Sequence, residues 1–253
     1  MDRKKIASVT GASSGVGREF VRLMAQNLKK IDEIWVIARR KERLKELEQE
    51  VKVPLVPFLL DLEQEDWLDT IKLALKEQQP RIKMLVNCAG FGKIGDLEEV
   101  PLEQTVGMID VNCRALTAMT YLAIPYMAEN SRIIQLASSA AFLPQPRFAV
   151  YAATKSYVLS FSRALNEELK ERGIAVTAVC PGPVRTEFFD IAEETGEVAF
   201  YKRLVMADSV KVVRKAFRDS LQRREVSVYG GMMNVFFGIC KVLPHSWILR
   251  FLR

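Results

Sequence analysis

The chain has 253 residues, 49% of them hydrophobic and 27% charged, and 37 Lys and Arg outweigh 31 Asp and Glu to give a formal charge of +6. That balance belongs to an ordinary soluble globular protein, and the interleaved acids, with no basic–aromatic tract, argue against nucleic-acid binding. Cys88, Cys113, Cys180 and Cys240 are widely spaced and His245 is the lone histidine, which excludes a zinc site or disulfide framework and suits a reducing cytoplasm.

The charged start, Met-Asp-Arg-Lys-Lys, leads into a short strand and not an apolar signal segment. That strand, Lys5–Thr10, runs into Thr10-Gly-Ala-Ser-Ser-Gly-Val-Gly17 and then a helical pattern. Glycines at 11, 15 and 17 permit a tight turn and let backbone amides approach a pyrophosphate at a helix N-terminus, so dinucleotide binding is expected here. A second strand is predicted over Glu33–Ala38. An NAD site places a carboxylate at its end; this chain has Ala38-Arg39-Arg40. The missing acid, with Arg39 to grip a 2′-phosphate, points to NADP. Alternatively, both arginines merely open the basic helix Lys41–Glu50.

Further strands are predicted at Val53–Leu60, Met84–Asn87, Arg132–Ala137, Ala175–Cys180 and Glu225–Tyr229; their nearly all-apolar character suits strands covered on both faces. Between them, Val106, Ile109, Cys113, Leu116, Thr120, Ala123 and Met127 repeat at 3-4 spacing and predict one continuous apolar stripe. Val158, Phe161, Leu165 and Leu169 predict a helix capped by Gly173. Strand and helix alternating in this way predict an α/β fold: one domain over 1–253, a doubly wound parallel sheet of about seven strands flanked by helices, of the Rossmann type.

Tyr151 and Lys155 stand four apart, so on a helix they share a face, and the ammonium lowers the phenol pKa. Ser138 precedes the tyrosine by thirteen residues; its neighbour Ser139 is the rival for holding a substrate oxygen.

Together, Thr-Gly-x3-Gly-x-Gly, Asn87-Cys-Ala-Gly90, Asn112, Ser138, Tyr151-x3-Lys155 and Pro181-Gly182-x-Val184-x-Thr186 resemble the short-chain dehydrogenase/reductase superfamily, from Lys5 to about Gly230. The resemblance implies a catalytic set of Asn112, Ser138, Tyr151 and Lys155, with Asn112 anchoring a proton-relay water. It implies a dinucleotide held by Gly11, Ser13, Ser14, Gly15, Val16, Gly17 and Arg39; by Asp61 and Leu62 at the adenine; by Asn87, Ala89 and Gly90; by Tyr151 and Lys155; and by Pro181, Gly182, Val184 and Thr186 at the nicotinamide. Cys88 stands where the family usually has a second asparagine. Hydride transfer between NADP(H) and a carbonyl, with Tyr151 as acid or base, is the implied reaction; a cofactor-binding regulator without turnover is the other class. A homodimer or homotetramer through the Val106–Met127 stripe and the Tyr151 helix is also implied.

The segment 187–208, with Phe188, Phe189, Ile191, Phe200, Tyr201 and Met206, is expected to form a lid over a lipophilic substrate such as a ketosteroid or a 3-oxoacyl chain, or else to be helix core. The tail 230–253 is apolar but interrupted by Lys241, Pro244, Arg250 and Arg253, so it does not span a bilayer. Core or dimer packing, a cover over the substrate channel and a membrane-surface helix all suit it. His245 reads as a capping or surface residue.

Overall fold

In the computed structural model, which describes residues 3–28, 30–194 and 206–251, seven parallel strands form a single sheet in the order β3-β2-β1-β4-β5-β6-β7. The strands are β1 Lys5–Thr10, β2 Glu33–Ala38, β3 Leu55–Leu59, β4 Arg81–Asn87, β5 Met127–Leu136, β6 Ala175–Val179 and β7 Val226–Ser227. The order reverses between β1 and β4, and the crevice beyond their carboxyl ends is where such sheets bind ligands.

Both faces of the sheet are covered, which explains the apolar runs. Ile34 and Val36 pack on one side with α1 (Gly15–Asn27), α2 (Lys41–Glu50) and α8 (Ser209–Leu221), while Trp35 and Ile37 pack on the other with α3 (Trp67–Gln78), α5 (Leu116–Ala123) and α6 (Ala149–Glu168). Successive strand residues thus serve opposite cores. Pro57 is tolerated because β3 is an edge strand.

The structure corrects three expectations in detail. The stripe from Val106 to Met127 is not one straight helix: α4 (Leu102–Ile109) passes into a π-helical turn, Asp110–Ala115, before α5, and Pro125 ends the run in a 3₁₀ turn. The wider turn rotates the two halves, so Val106 and Ile109 are exposed while Leu116, Thr120 and Ala123 are buried. Met127 opens β5 instead of closing the helix. Gly173 lies beyond the end of α6, at φ +67°, in the turn into β6, where a side chain would collide with Glu129.

After β6 comes the short helix α7 (Phe188–Ala192), and the tail forms α9 (Gly231–Val242) and α10 (His245–Phe251). No helix among the described residues is long and apolar enough to cross a membrane.

Candidate active site

The β1–α1 turn is a backbone cradle that only glycine permits. Gly11 adopts φ +69°, and a Cβ there would lie 2.7 Å from the Ala89 amide nitrogen; a Cβ on Gly17 would lie 2.3 Å from the Gly11 carbonyl oxygen. Thr10 Oγ1 accepts from the Cys88 and Ala89 amides, both at 3.1 Å, and so ties the ends of β1 and β4 together. This role of Thr10, the first residue of the glycine motif, follows only from the folded geometry. The result is an open helix N-terminus facing a groove, which suits a pyrophosphate.

At the end of β2 the two arginines make different contacts. Arg39 Nη1 lies 3.5 Å from Asp61 and 3.6 Å from Glu63. Arg40 instead reaches the glycine turn: Nη2 donates to Ser14 Oγ at 2.6 Å, and Nε and Nη2 reach Ser13 Oγ at 3.3 Å. Its Nη1 pairs with Glu187 at 2.7 Å, and Arg43 Nη2 joins the same carboxylate at 3.1 Å. Adjacent residues point to different sides as the strand ends: Arg40 lies over the glycine turn and Arg39 beside Asp61, and both line the cleft. Adjacency to Arg39 was the only sequence signal for Arg40, and neither Arg43 nor Glu187 carried one.

Asn87 does not turn toward the cleft. Its Nδ2 donates to Thr120 Oγ1 (3.0 Å) and Gln135 Oε1 (2.9 Å) in a buried polar cluster that braces β4 against α5 and β5. Ala89 and Gly90 do line the cleft, as do Gly11, Ser13, Ser14, Gly15, Val16, Gly17, Arg39, Asp61, Leu62, Pro181, Gly182, Val184 and Thr186.

Ser138 follows β5 in extended conformation and its Oγ accepts from the Ala140 amide at 3.1 Å. Tyr151 and Lys155 lie on α6, with Lys155 Nζ 5.6 Å from the phenol ring centroid. Ser138, not Ser139, is the serine whose hydroxyl acts on the Tyr151 phenol, and both line the same cleft. Burial pushes the Tyr151 pKa well above the ordinary phenol value, against a smaller lowering effect of Ser138. The expected depression by Lys155 does not appear, and desolvation dominates: Tyr151 is 6% exposed, under Phe148, stacked at 4.3 Å, and Phe188 at 5.3 Å. Lys155 is buried too, which lowers its pKa to about 8, and Nζ donates to the Leu136 carbonyl at 2.8 Å.

Asn112 sits inside the π-helical turn, fully buried. Its Nδ2 donates to the Phe91 carbonyl (2.9 Å) and to Thr154 Oγ1 (3.0 Å), and its Oδ1 accepts from the Phe91 amide (3.1 Å). A helix-bend asparagine thereby links α4–α5, the loop after β4 and the tyrosine helix. The same neighbourhood holds three thiols: burial pushes Cys88 and Cys180 up to about 12 and Cys113 up to about 11.

Ser138, Tyr151, Lys155 and the glycine turn open on one cleft of about 1390 Å³, with Asn112 buried behind it. Its apolar wall includes Ile94, Leu143, Phe148, Phe188, Phe189 and Phe236. Among the lid residues, Phe188, Phe189 and Ile191 line the cleft, Met206 is half-buried, and Phe200 and Tyr201 lie outside the described residues. The tail serves as a further wall: Met233 packs on Gly182, and Phe237 on Phe142 at 4.5 Å. His245 Nε2 lies 3.2 Å from the Cys240 carbonyl at the end of α9, away from the reacting groups.

A sheet switch point, a glycine cradle and a Ser–Tyr–Lys group in one cleft define an oxidoreductase site of the dinucleotide-binding α/β class. Residues 5–196 match the short chain dehydrogenase family model, and the chain belongs to that family. Human very-long-chain 3-oxoacyl-CoA reductase is 32% identical over 203 residues, covering 75% of this chain and 62% of that protein. A short-chain dehydrogenase from Sphingobium yanoikuyae, solved with NADPH, superposes with a TM-score of 0.78 at 25% identity, over 95% of this chain and 96% of that one. A Burkholderia phymatum family member solved with NAD gives a TM-score of 0.79 at 20% identity, over 94% and 92% of the two chains, and speaks for the fold alone.

Proposed function

We propose that the protein is an NADP(H)-dependent oxidoreductase that interconverts a carbonyl and an alcohol on a lipophilic substrate, such as a ketosteroid or a 3-oxoacyl chain. The observation that carries this reading is the convergence of Ser138, buried Tyr151 and buried Lys155 on one apolar cleft, with the Lys155 ammonium 5.6 Å from the phenol ring centroid. Arg40 on Ser13 and Ser14, with no acid at the end of β2, supports NADP over NAD. Residues 11–17, Asp61, Leu62, Ala89, Gly90 and 181–186 would hold the dinucleotide, and the glycine cradle fits its pyrophosphate. When bound, the nicotinamide supplies a hydride.

The chain's own residues do the rest. Burial keeps Tyr151 protonated at neutral pH, so it enters as the acid that carbonyl reduction needs. Ser138 Oγ holds the substrate oxygen and steadies the charge that develops on it. Lys155, still largely cationic at neutral pH, stabilises the phenolate left after Tyr151 gives up its proton. Asn112 holds the loop after β4 and the tyrosine helix in register. Such a positioned acid contributes about 10²–10⁴-fold.

The burial of Tyr151 under Phe148 and Phe188 favours one rival, a cofactor-binding regulator without turnover. NADPH and NADH consumption with ketosteroids, 3-oxoacyl thioesters and small diketones separates the two. We expect turnover with at least one apolar ketone and a preference for NADPH; tight NADPH binding with no turnover across the set would favour the regulator. A homodimer or homotetramer is also proposed, supported by exposed Leu102, Val106, Ile109, Tyr121 and Tyr157 on α4, α5 and α6. Peripheral membrane contact would use the outer face of α9, where Met232, Val235, Ile239 and Val242 are exposed. A cytoplasmic setting is supported by four free cysteines.

A further inference from the structure

The residues best placed to receive a 2′-phosphate already hold an anion, and it is the protein's own. Glu187 accepts from Arg40 Nη1 at 2.7 Å and from Arg43 Nη2 at 3.1 Å, while the other terminal nitrogen of Arg40 is spent on Ser14 Oγ at 2.6 Å. Arg40, chiefly, with Arg43 and Ser14, holds the Glu187 carboxyl below its usual range, so it is an anion throughout the neutral range. A carboxylate on an arginine fork presents the same charge-assisted geometry that a phosphate does.

Glu187 is also the residue that enters α7. The next residue, Phe188, lies against the Tyr151 ring at 5.3 Å. At the far end of the same short helix, Glu194 pairs with the buried Lys93, and the Ile94 amide donates to the Ala192 carbonyl at 3.1 Å. The helix over the tyrosine is thus tethered at one end to the loop after β4 and at the other to the arginines beside the glycine turn.

We propose that Glu187 is a built-in competitor for the site of an adenosine 2′-phosphate, a specificity-determining residue that ties occupancy of that site to the position of α7. The proposal rests on the NADP(H) reading above. A phosphate carries more charge than a carboxylate and three acceptor oxygens, so it takes Arg40 from Glu187. A dinucleotide without that phosphate leaves the pair intact. Binding of the phosphorylated form therefore frees the leading end of α7, and with it the Phe188 ring that covers Tyr151.

Calorimetric titration of the full chain with adenosine 2′,5′-bisphosphate and with adenosine 5′-monophosphate, in wild type and Glu187→Gln, tests this without any turnover. Removing two partly exposed arginine contacts predicts about fivefold tighter binding of the bisphosphate and less than a twofold change for the monophosphate. Hydrogen exchange gives the second readout: the bisphosphate, and not the monophosphate, should accelerate exchange at the Phe189 and Ile191 amides of the wild type. If the wild type prefers the bisphosphate but Glu187→Gln binds it no more tightly, the competition is overturned and the NADP reading survives. If the wild type binds both nucleotides equally, the NADP reading falls and the proposal falls with it.

Discussion

The cofactor end of the cleft is fixed by backbone: Gly11 and Gly17 leave no room for a side chain, and Thr10 pins two strand ends together. The substrate end is walled by side chains from α6, α7 and α9, elements far apart in sequence, with α7 tethered by ion pairs at either end. A backbone cradle serves one ligand shape and tolerates little change. A wall of separable side chains can be rebuilt for another substrate without disturbing the sheet beneath it.

The largest expected effect lies at the rigid end. In Gly17→Ala the new methyl meets a main-chain carbonyl that cannot rotate away. We expect about 3 kcal/mol of lost stability, a drop in Tm of roughly 6–12 °C, and loss of dinucleotide binding, all measurable by thermal melts with and without NADPH. An unchanged melt would show the cradle to be soft.

Lys155→Met should separate stability from function at the junction of the two ends. With its pKa lowered to about 8 from 10.5, the buried ammonium carries a penalty of about 3 kcal/mol below pH 8. The lost hydrogen bond to Leu136 returns about 1 kcal/mol of that, so the variant should be roughly 2 kcal/mol more stable at neutral pH and inactive. The sign follows from linkage: between about 8 and 10.5 the unfolded chain holds the proton and the folded chain does not. Wild-type stability from this group therefore rises with pH across that window, and the methionine variant should lack the rise. Melts of both proteins across the window check it; a less stable variant at neutral pH would contradict it.

The smallest effect on stability is expected at the adaptable end. Phe188→Ala should shift folding by no more than about 1–2 kcal/mol, because α7 is short and partly exposed, yet raise the KM for a lipophilic ketone about fivefold. A KM unchanged for apolar and polar ketones alike would remove Phe188 from the substrate wall.

The same contrast explains what the sequence made legible. Lys5–Thr10, Glu33–Ala38 and Lys41–Glu50 appear in the structure with the predicted bounds, because apolar runs and charged faces report local burial directly. The glycine turn was legible for the same reason: backbone demands leave a residue-type signature. What escaped depends on where side chains point after folding. Arg39 and Arg40 are identical letters, and only the geometry at the end of β2 assigns one to Asp61 and the other to Ser13 and Ser14. Asn87 belongs to the right motif but faces Thr120 and Gln135. The π-helical turn around Asn112 is invisible in a 3-4 repeat. The tyrosine–lysine pair was read correctly as a shared helix face, but the upward pull of burial on Tyr151 comes from Phe148 and Phe188 and needed the packed structure.

The most direct test of the proposed chemistry is Tyr151→Phe, with NADPH binding and NADPH consumption followed on the same preparation with the best ketone found for the wild type. We expect binding within about threefold of wild type and a rate lower by about 10²–10⁴-fold. Retained turnover in the phenylalanine variant, with binding intact, would show that Tyr151 is not the proton donor.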